Sequence, residues 1–502
     1  MLEIVEKNTQ KYQKLTKKSE RKKKGQFFTP LDIAMYMAKL SKIRLRNIRL
    51  LDCGAGTGIL GISLCKELID DDFIKEIEID FYENDKDVIK LLEENISELE
   101  KYSELKGKKL KCKIINENFI LYNKSNWSNK EFKPIYDVII SNPPYKKLAK
   151  SSEESEVVND IVFGQPNIYF IFMAMALHLL KPNGEMIFIT PRSFTSGAYF
   201  KKFRGYLLDN SSIKKIHIFN SRNNLFKGEE VLQEAIITRF VKDNLKEEIE
   251  IVATNGSDFD RLISLNVPYS TILSDLCENK FILIPSSIDD IKILDLMKRW
   301  NNNLINLGYK LKTGPVVDFR AKELLSNYSE ESVPLIWSDN FINNYIKKVN
   351  NKENYRYIKL TDKSKSILVE NKDSIIIKRF TSKEESRRVQ TAIYLKEEFI
   401  EYKYVGIENH LNYIAKIDGD YDEIELYGLF ALFNSTIIDR YYRIINGNTQ
   451  VNATEINSMP LPDINIIRNI GYRLKNLNDM STEICDKIIN DIVIGDEKIW
   501  VN

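Results

Sequence analysis

Histidine and cysteine are scarce in this sequence: three histidines and five cysteines in 502 residues, with no CxxC pair and no histidine at ligand spacing. Neither a zinc site nor a disulfide framework can be built from them. Long apolar runs are missing too. No uncharged stretch reaches the ~18 residues of a membrane span, and the most apolar one, NIYFIFMAMALHLL (residues 167–180), reads as a buried helix. The start, MLEIVEKNTQKYQKL, lacks the apolar core of a signal peptide, which points to a cytoplasmic protein. An overall excess of one charge is also absent, at a net +2, yet residues 1–24 hold nine Lys or Arg against three Glu. A basic arm of that kind supplies phosphate contacts when it lies beside a nucleic acid.

At 502 residues the chain is too long for one ordinary core. Between residues 50 and 240, the runs IRLLDC, IEIDFYE, CKIINENF, YDVIIS, EMIFIT, IKKIHIF and EAIITRF alternate with helical stretches such as GILGISLCKELI. That rhythm predicts an α/β fold with a doubly wound sheet and ligands at the carboxyl ends of its strands. After residue 243 it gives way to short strands, Asn-rich loops and scattered aromatics, and after residue 464 to a helical period. The expected divisions are a basic arm at 1–24, an α/β domain at 25–242, a mixed α+β domain at 243–464 and a C-terminal helix at 465–502.

In LLDCGAGTGIL (residues 50–60), Asp52 precedes a turn in which Gly54, Gly56 and Gly58 open a helix. Such a turn brings backbone close to a ligand and leaves free N–H groups, although many strand–helix junctions need one for packing alone. Here the third glycine comes one residue earlier than in the dinucleotide fingerprint, and an acid stands before the loop. That form suits S-adenosylmethionine, whose ammonium a carboxylate would meet. Glu83 ends the next strand, where such folds place an acid on the ribose hydroxyls. Taken alone it would be a surface glutamate. At the third strand end, Asn118 can hydrogen-bond an adenine edge and Phe119 can stack on its face. Upstream, Thr29 in GQFFTPLDIAMYMAKL precedes Pro30 at a helix start, where it can cap the helix and offer a hydroxyl to a carboxylate.

SNPPYKKLAK (residues 141–150) follows the fourth strand and so faces the same cleft. The Asn142 side-chain carbonyl and the Pro143 main-chain carbonyl, held by the fixed φ of proline, are acceptors that can converge on an exocyclic amine. Both its hydrogens would then be bound and its lone pair turned towards a methyl donor, with Tyr145 stacked on the ring. A rigid turn explains Pro143 and Pro144 but not the Asn and Tyr that flank them.

With these residues in place, the chain resembles the N6-adenine DNA methyltransferases, whose catalytic loop is (D/N/S)PP(Y/F). The resemblance assigns Asn142, Pro143, Pro144 and Tyr145 to that loop and Thr29 to the methionine carboxylate. It assigns Asp52, Gly54 and Gly56 to the cofactor loop, Glu83 to the ribose, and Asn118 with Phe119 to the cofactor adenine; the family more often has Asp at the first of that pair. NNLFKGEEVLQEAIITRF (residues 223–240) is similar to the segment whose phenylalanine packs on a flipped base, which gives Phe226 to the target adenine opposite Tyr145. Only 22 residues separate Phe119 from Asn142, and the large unassigned region comes last. That is the motif order of the gamma group, the TaqI-like enzymes.

KTGPVVDFR (residues 312–320) and RSFTSGAYFKKFR further resemble the PstI and BsuBI modification methylase subgroup, whose site is CTGCAG. The resemblance implies a class I methyltransferase fold, S-adenosyl-L-methionine as cofactor and no metal. The implied partners are double-stranded DNA and a separately encoded restriction endonuclease, with the chain acting as a monomer in a prokaryotic cytoplasm. Base reading falls to residues 243–464, with Lys378, Arg379, Arg387, Arg388 and the loop NGNTQVNATE (residues 446–455) as candidates. Enzymes that methylate RNA or a protein glutamine share the loop but lack so large a C-terminal region. A fused restriction–modification enzyme would need a nuclease domain, for which the 24 residues before Gly25 leave no room.

Overall fold

The computed structural model describes residues 1–219, 234–242, 245–254, 259, 262–273, 279–349 and 355–494. The chain divides into two units, 1–274 with 279–286, and 275–278 with 287–502.

In the first unit, helices α1 (Leu2–Leu15), α2 (Lys18–Lys24) and α3 (Leu31–Lys39) precede a sheet of nine strands. The strands are β1 (Asn47–Asp52), β2 (Glu76–Tyr82), β3 (Lys109–Ile115), β4 (Tyr136–Ser141), β5 (Leu180–Pro191), β6 (Ser212–Phe219), β7 (Ala235–Val241), β8 (Glu248–Thr254) and β9 (Ile263–Pro268). Their order is β3-β2-β1-β4-β5-β7-β6-β8-β9, and β7 runs antiparallel to both its neighbours. The seven runs read from the sequence are all strands. All six residues of β4 are buried, as a parallel strand covered on both faces requires. Register then gathers the strand ends: Asp52 lies beside Phe81 and Ile140, and Tyr82 beside Ile115. The loops at 53–58, 83–85, 116–118 and 142–148 therefore open on one edge of the sheet.

Helices α4 (Ile59–Ile69) and α5 (Lys86–Leu105) follow β1 and β2, and the short α6 (Phe119–Tyr122) and α7 (Lys124–Ser128) follow β3. Between β4 and β5 lie α8 (Glu153–Val157) and α9 (Ile168–Leu179), and α10 (Lys201–Asn210) follows β5. The most apolar stretch of the sequence is α9. Asn167 caps it by accepting from the Tyr169 amide, and residues 169–177 are buried without a break. A helix that is apolar all round belongs in the core.

Three expected divisions are corrected. The basic arm at 1–24 is not free: α1 packs on α4 and α5. Val5 and Thr9, four residues apart and so on one helix face, are buried, and the Thr9 hydroxyl meets that of Thr57 at 2.8 Å. Asn8 donates to Asn95 at 2.9 Å, and Asn95 donates in turn to the Thr57 carbonyl at 2.8 Å, so α1 braces the glycine loop. The boundary at 242 falls inside the sheet. β8 pairs with β6, placing Ile251 beside Ile216, and β9 closes the edge. The loss of strand–helix rhythm there marks two added edge strands rather than a new domain.

The second unit carries two sheets, one of six strands and one of five, with helices that include Glu423–Phe433, Thr436–Ile445 and Ile464–Lys475. The single helix expected at 465–502 is two, Ile464–Lys475 and Thr482–Ile489, and both belong to this unit. Among the described residues no helix is long and apolar enough to cross a membrane, and no group of acidic, Cys and His side chains is placed to hold a metal.

Candidate active site

The gathered strand ends of the first unit enclose a cavity of about 510 Å³, in the size range of small-molecule sites. Its wall joins residues 24–29, the glycine loop from Cys53 onward, the strand ends at 82–85 and 117–119, and Asn142 with Pro144. Pro143 is buried beside them.

Asn142 is held in one orientation. Its Nδ2 donates to the Phe27 carbonyl at 2.8 Å and to the Thr29 hydroxyl at 3.0 Å. A main-chain carbonyl only accepts, so the amide nitrogen must lie on that side and Oδ1 on the other. Oδ1 accepts the Tyr145 hydroxyl at 2.8 Å, and the same hydroxyl lies 3.1 Å from the Ile189 carbonyl. Burial pushes the Tyr145 phenol up, so it stays protonated and donates. The ring stacks on Phe27, with centroids 5.5 Å apart and planes inclined at 28°. Gly25, at φ +73°, allows this close passage: a Cβ there would lie 3.3 Å from the Tyr145 nitrogen and 3.4 Å from Pro144 Cβ.

Thr29 is brought to the site but does not cap α3. Pro30 flanks the helix with no side-chain cap, because the Thr29 hydroxyl is turned to Asn142 instead. Glu83 also stands in the wall. Its two oxygens accept from the amides of Gly56 at 2.8 Å and Asp85 at 2.7 Å, and burial raises its pKa. Gly54 and Gly56 line the cavity.

Asp52 ends β1. It is fully buried, outside the cavity wall, and accepts from the Gly61 amide at 3.0 Å in the first turn of α4. The carboxylate satisfies one of the free amides of a helix start. Asn118 lines the cavity, yet its carbonyl is taken: Oδ1 accepts the amides of Ile120 at 3.0 Å and Leu121 at 3.2 Å, capping α6. Its Nδ2 donates to Glu154 Oε1 at 3.0 Å. Phe119 is almost wholly buried, 5.1 Å from the rings of both Tyr82 and Phe172. Phe226 lies outside the described residues.

Sequence reasoning missed Glu154, Phe27 and Gly25. The last two stand inside GQFFTP and were legible as part of that motif, whereas nothing in a single sequence ties Glu154 to Asn118. The wall carries Glu83, Asp85, Glu117 and Glu154 against Lys24 and Lys146. That balance fits a ligand of net positive charge, such as a sulfonium.

Sheet order, the inserted antiparallel β7 and the glycine loop after β1 together define a class I S-adenosylmethionine-dependent methyltransferase. The Eco57I restriction-modification methylase family matches residues 31–226. The type II methyltransferase M.BsuBI of Bacillus subtilis is 32% identical over 483 residues, covering 94% of each chain. The type II methyltransferase M.PstI of Providencia stuartii is 30% identical over 478 residues, covering 94% of this chain and 93% of the relative. Among solved structures, the type IIL restriction-modification enzyme MmeI in complex with DNA shares the fold at 13% identity and a TM-score of 0.53, over 95% of this chain and 73% of that one. This chain belongs to the type II restriction-modification methyltransferases, which are DNA methyltransferases, and its cofactor is S-adenosylmethionine.

Proposed function

We propose that the chain methylates N6 of an adenine in duplex DNA at CTGCAG, as the modification half of a system whose endonuclease is encoded separately. The orientation of Asn142 carries this reading. With its nitrogen tied to Phe27 and Thr29, only Oδ1 can meet a substrate, through the lone pair that the Tyr145 hydroxyl leaves open, and such an acceptor selects a base that bears an amine. Adenine has such an amine at N6, reachable only after the base leaves the stack, at a cost of a few kcal/mol. Stacking on an aromatic ring returns roughly 1–3 kcal/mol per base, a part we assign to Tyr145 with Phe226.

When bound, S-adenosylmethionine supplies an activated methyl group for direct displacement. The protein's part is positioning: Asn142 Oδ1 and the Pro143 carbonyl hold the amine, Thr29 offers its hydroxyl proton to a carboxylate, and Glu83 accepts from ribose hydroxyls. Gly54 and Gly56 let the backbone lie close to the cofactor. No base need be poised near pH 7, because the amine becomes strongly acidic once methylated.

Single-molecule sequencing of plasmid from a host expressing the chain should show N6-methyladenine at one motif, CTGCAG. Asn142→Ala should cut transfer by roughly 100-fold or more while leaving duplex binding in place. Labelling of RNA or protein alone, or cytosine methylation in the plasmid, would refute the reading.

A further inference from the structure

An amide carbonyl has two lone pairs, and both lone pairs of Asn118 Oδ1 are used within α6. The acceptor that the resemblance assigns to Asn118 for the cofactor's adenine amine is therefore already engaged. Asn118 lines the cavity, and the polar group it has left for a ligand is its NH2, a donor, one of whose hydrogens goes to Glu154. An adenine edge presents a donor, the exocyclic amine, next to a ring-nitrogen acceptor. A lone amide donor satisfies only the second of these.

Glu154 supplies what Asn118 lacks. It is half-buried in the same cavity wall, on α8, which packs against α6. An ionised carboxylate has about four acceptor sites, and Asn118 takes one. An amine donating to a carboxylate makes a stronger bond than one donating to a neutral amide. The Asn118–Glu154 bond also fixes both groups relative to each other, so donor and acceptor stand side by side as an adenine edge requires.

We propose that Glu154 accepts the exocyclic amine of the cofactor's adenine, with Asn118 as its donor partner and positioning group. The assignment rests on the cavity being the S-adenosylmethionine site. Glu154 then sets the preference for an adenosyl over a desamino cofactor.

The test is calorimetric titration of the full chain with S-adenosylhomocysteine and with its 6-desamino purine analogue. The unaltered chain should prefer the amine-bearing ligand by about 10-fold or more, the range of a hydrogen bond to a charged group. Glu154→Leu should weaken S-adenosylhomocysteine about 10-fold more than it weakens the desamino analogue, so that the amine preference disappears while both ligands still bind. Glu154→Gln keeps an acceptor oxygen and should fall between. A full amine preference in Glu154→Leu overturns the assignment, whether both ligands keep their affinity or weaken by the same factor. Failure of the unaltered chain to bind either ligand would instead overturn the cofactor site itself.

Discussion

A carboxylate with no solvent exposure is costly to ionise, and Asp52, which accepts from the Gly61 amide, is in that position. Burial, with the charge of Glu83 adding to it, raises its pKa from 3.8 to about 7. The folded protein therefore holds this proton more tightly than the unfolded chain. The stability it gives is fully present below pH 3.8 and is lost as pH rises through about 7. At about 1.4 kcal/mol per unit, the swing is on the order of 4 kcal/mol at most. The urea midpoint of the unaltered protein should fall between pH 5 and pH 8, and Asp52→Asn, which keeps an acceptor for Gly61, should flatten that fall. The same slope in both proteins would show that Asp52 is not the group responsible. Asp52 also marks a limit of the sequence. DCGAGTG was enough to read the loop and to name the cofactor, but which way the last side chain of β1 turns depends on how α4 starts above it. Asn118 is a second such case, legible as a cavity residue but not as a helix cap.

Periodicity made the larger elements legible. Seven strands and α9 follow from alternating or continuous apolar runs, because burial on one or two faces writes itself into spacing. What spacing does not record is close approach between distant elements. Helices Glu423–Phe433 and Ile464–Lys475 cross at two glycines: a Cβ on Gly428 would lie 2.1 Å from the Ile467 carbonyl oxygen, and one on Gly471 1.9 Å from that of Ile424. Both obstacles are backbone, so the helices themselves would have to separate. In sequence, each glycine looks like a residue merely tolerated in a helix. Gly471→Ala should gain up to about 1 kcal/mol of helix propensity and lose more than that through overpacking, about 1–3 kcal/mol, for a net drop in melting temperature. Gly205→Ala in α10 is the control, since nothing lies within 4 Å of its added methyl. It should be neutral or stabilising; a matching drop in both variants would show that helix crossing is not the cause.

The two type II relatives align over 94% of the chain, so the second unit is part of the shared architecture and its cations are the natural place to seek DNA contacts. Composition alone cannot rank Lys378, Arg379, Arg387 and Arg388; burial can. Arg388 is fully buried, with Nε on the Thr381 hydroxyl at 3.2 Å, and Arg387 reaches the Ser435 carbonyl at 3.1 Å and the Thr482 hydroxyl at 3.3 Å. Both tie chain segments together inside the unit. Arg379 is half-buried: it donates to the Asn409 carbonyl at 3.0 Å beside Phe380, a ring that is 42% exposed. An arginine flanked by an exposed aromatic can meet a phosphate or a base edge, whereas a fully enclosed one cannot. Removing the enclosed charge leaves buried acceptors unsatisfied, so Arg388→Met should cost about 3 kcal/mol of stability. Arg379→Ala loses one hydrogen bond and should cost only about 1 kcal/mol of stability while weakening duplex binding and lowering the salt-dependence slope by about one. Melting curves and salt-dependent binding measured on both variants separate the roles. An Arg379→Ala chain that binds DNA with the parent's affinity and slope would move base reading away from the 379–380 segment, and an Arg388→Met chain with the parent's melting temperature would return Arg388 to the candidates.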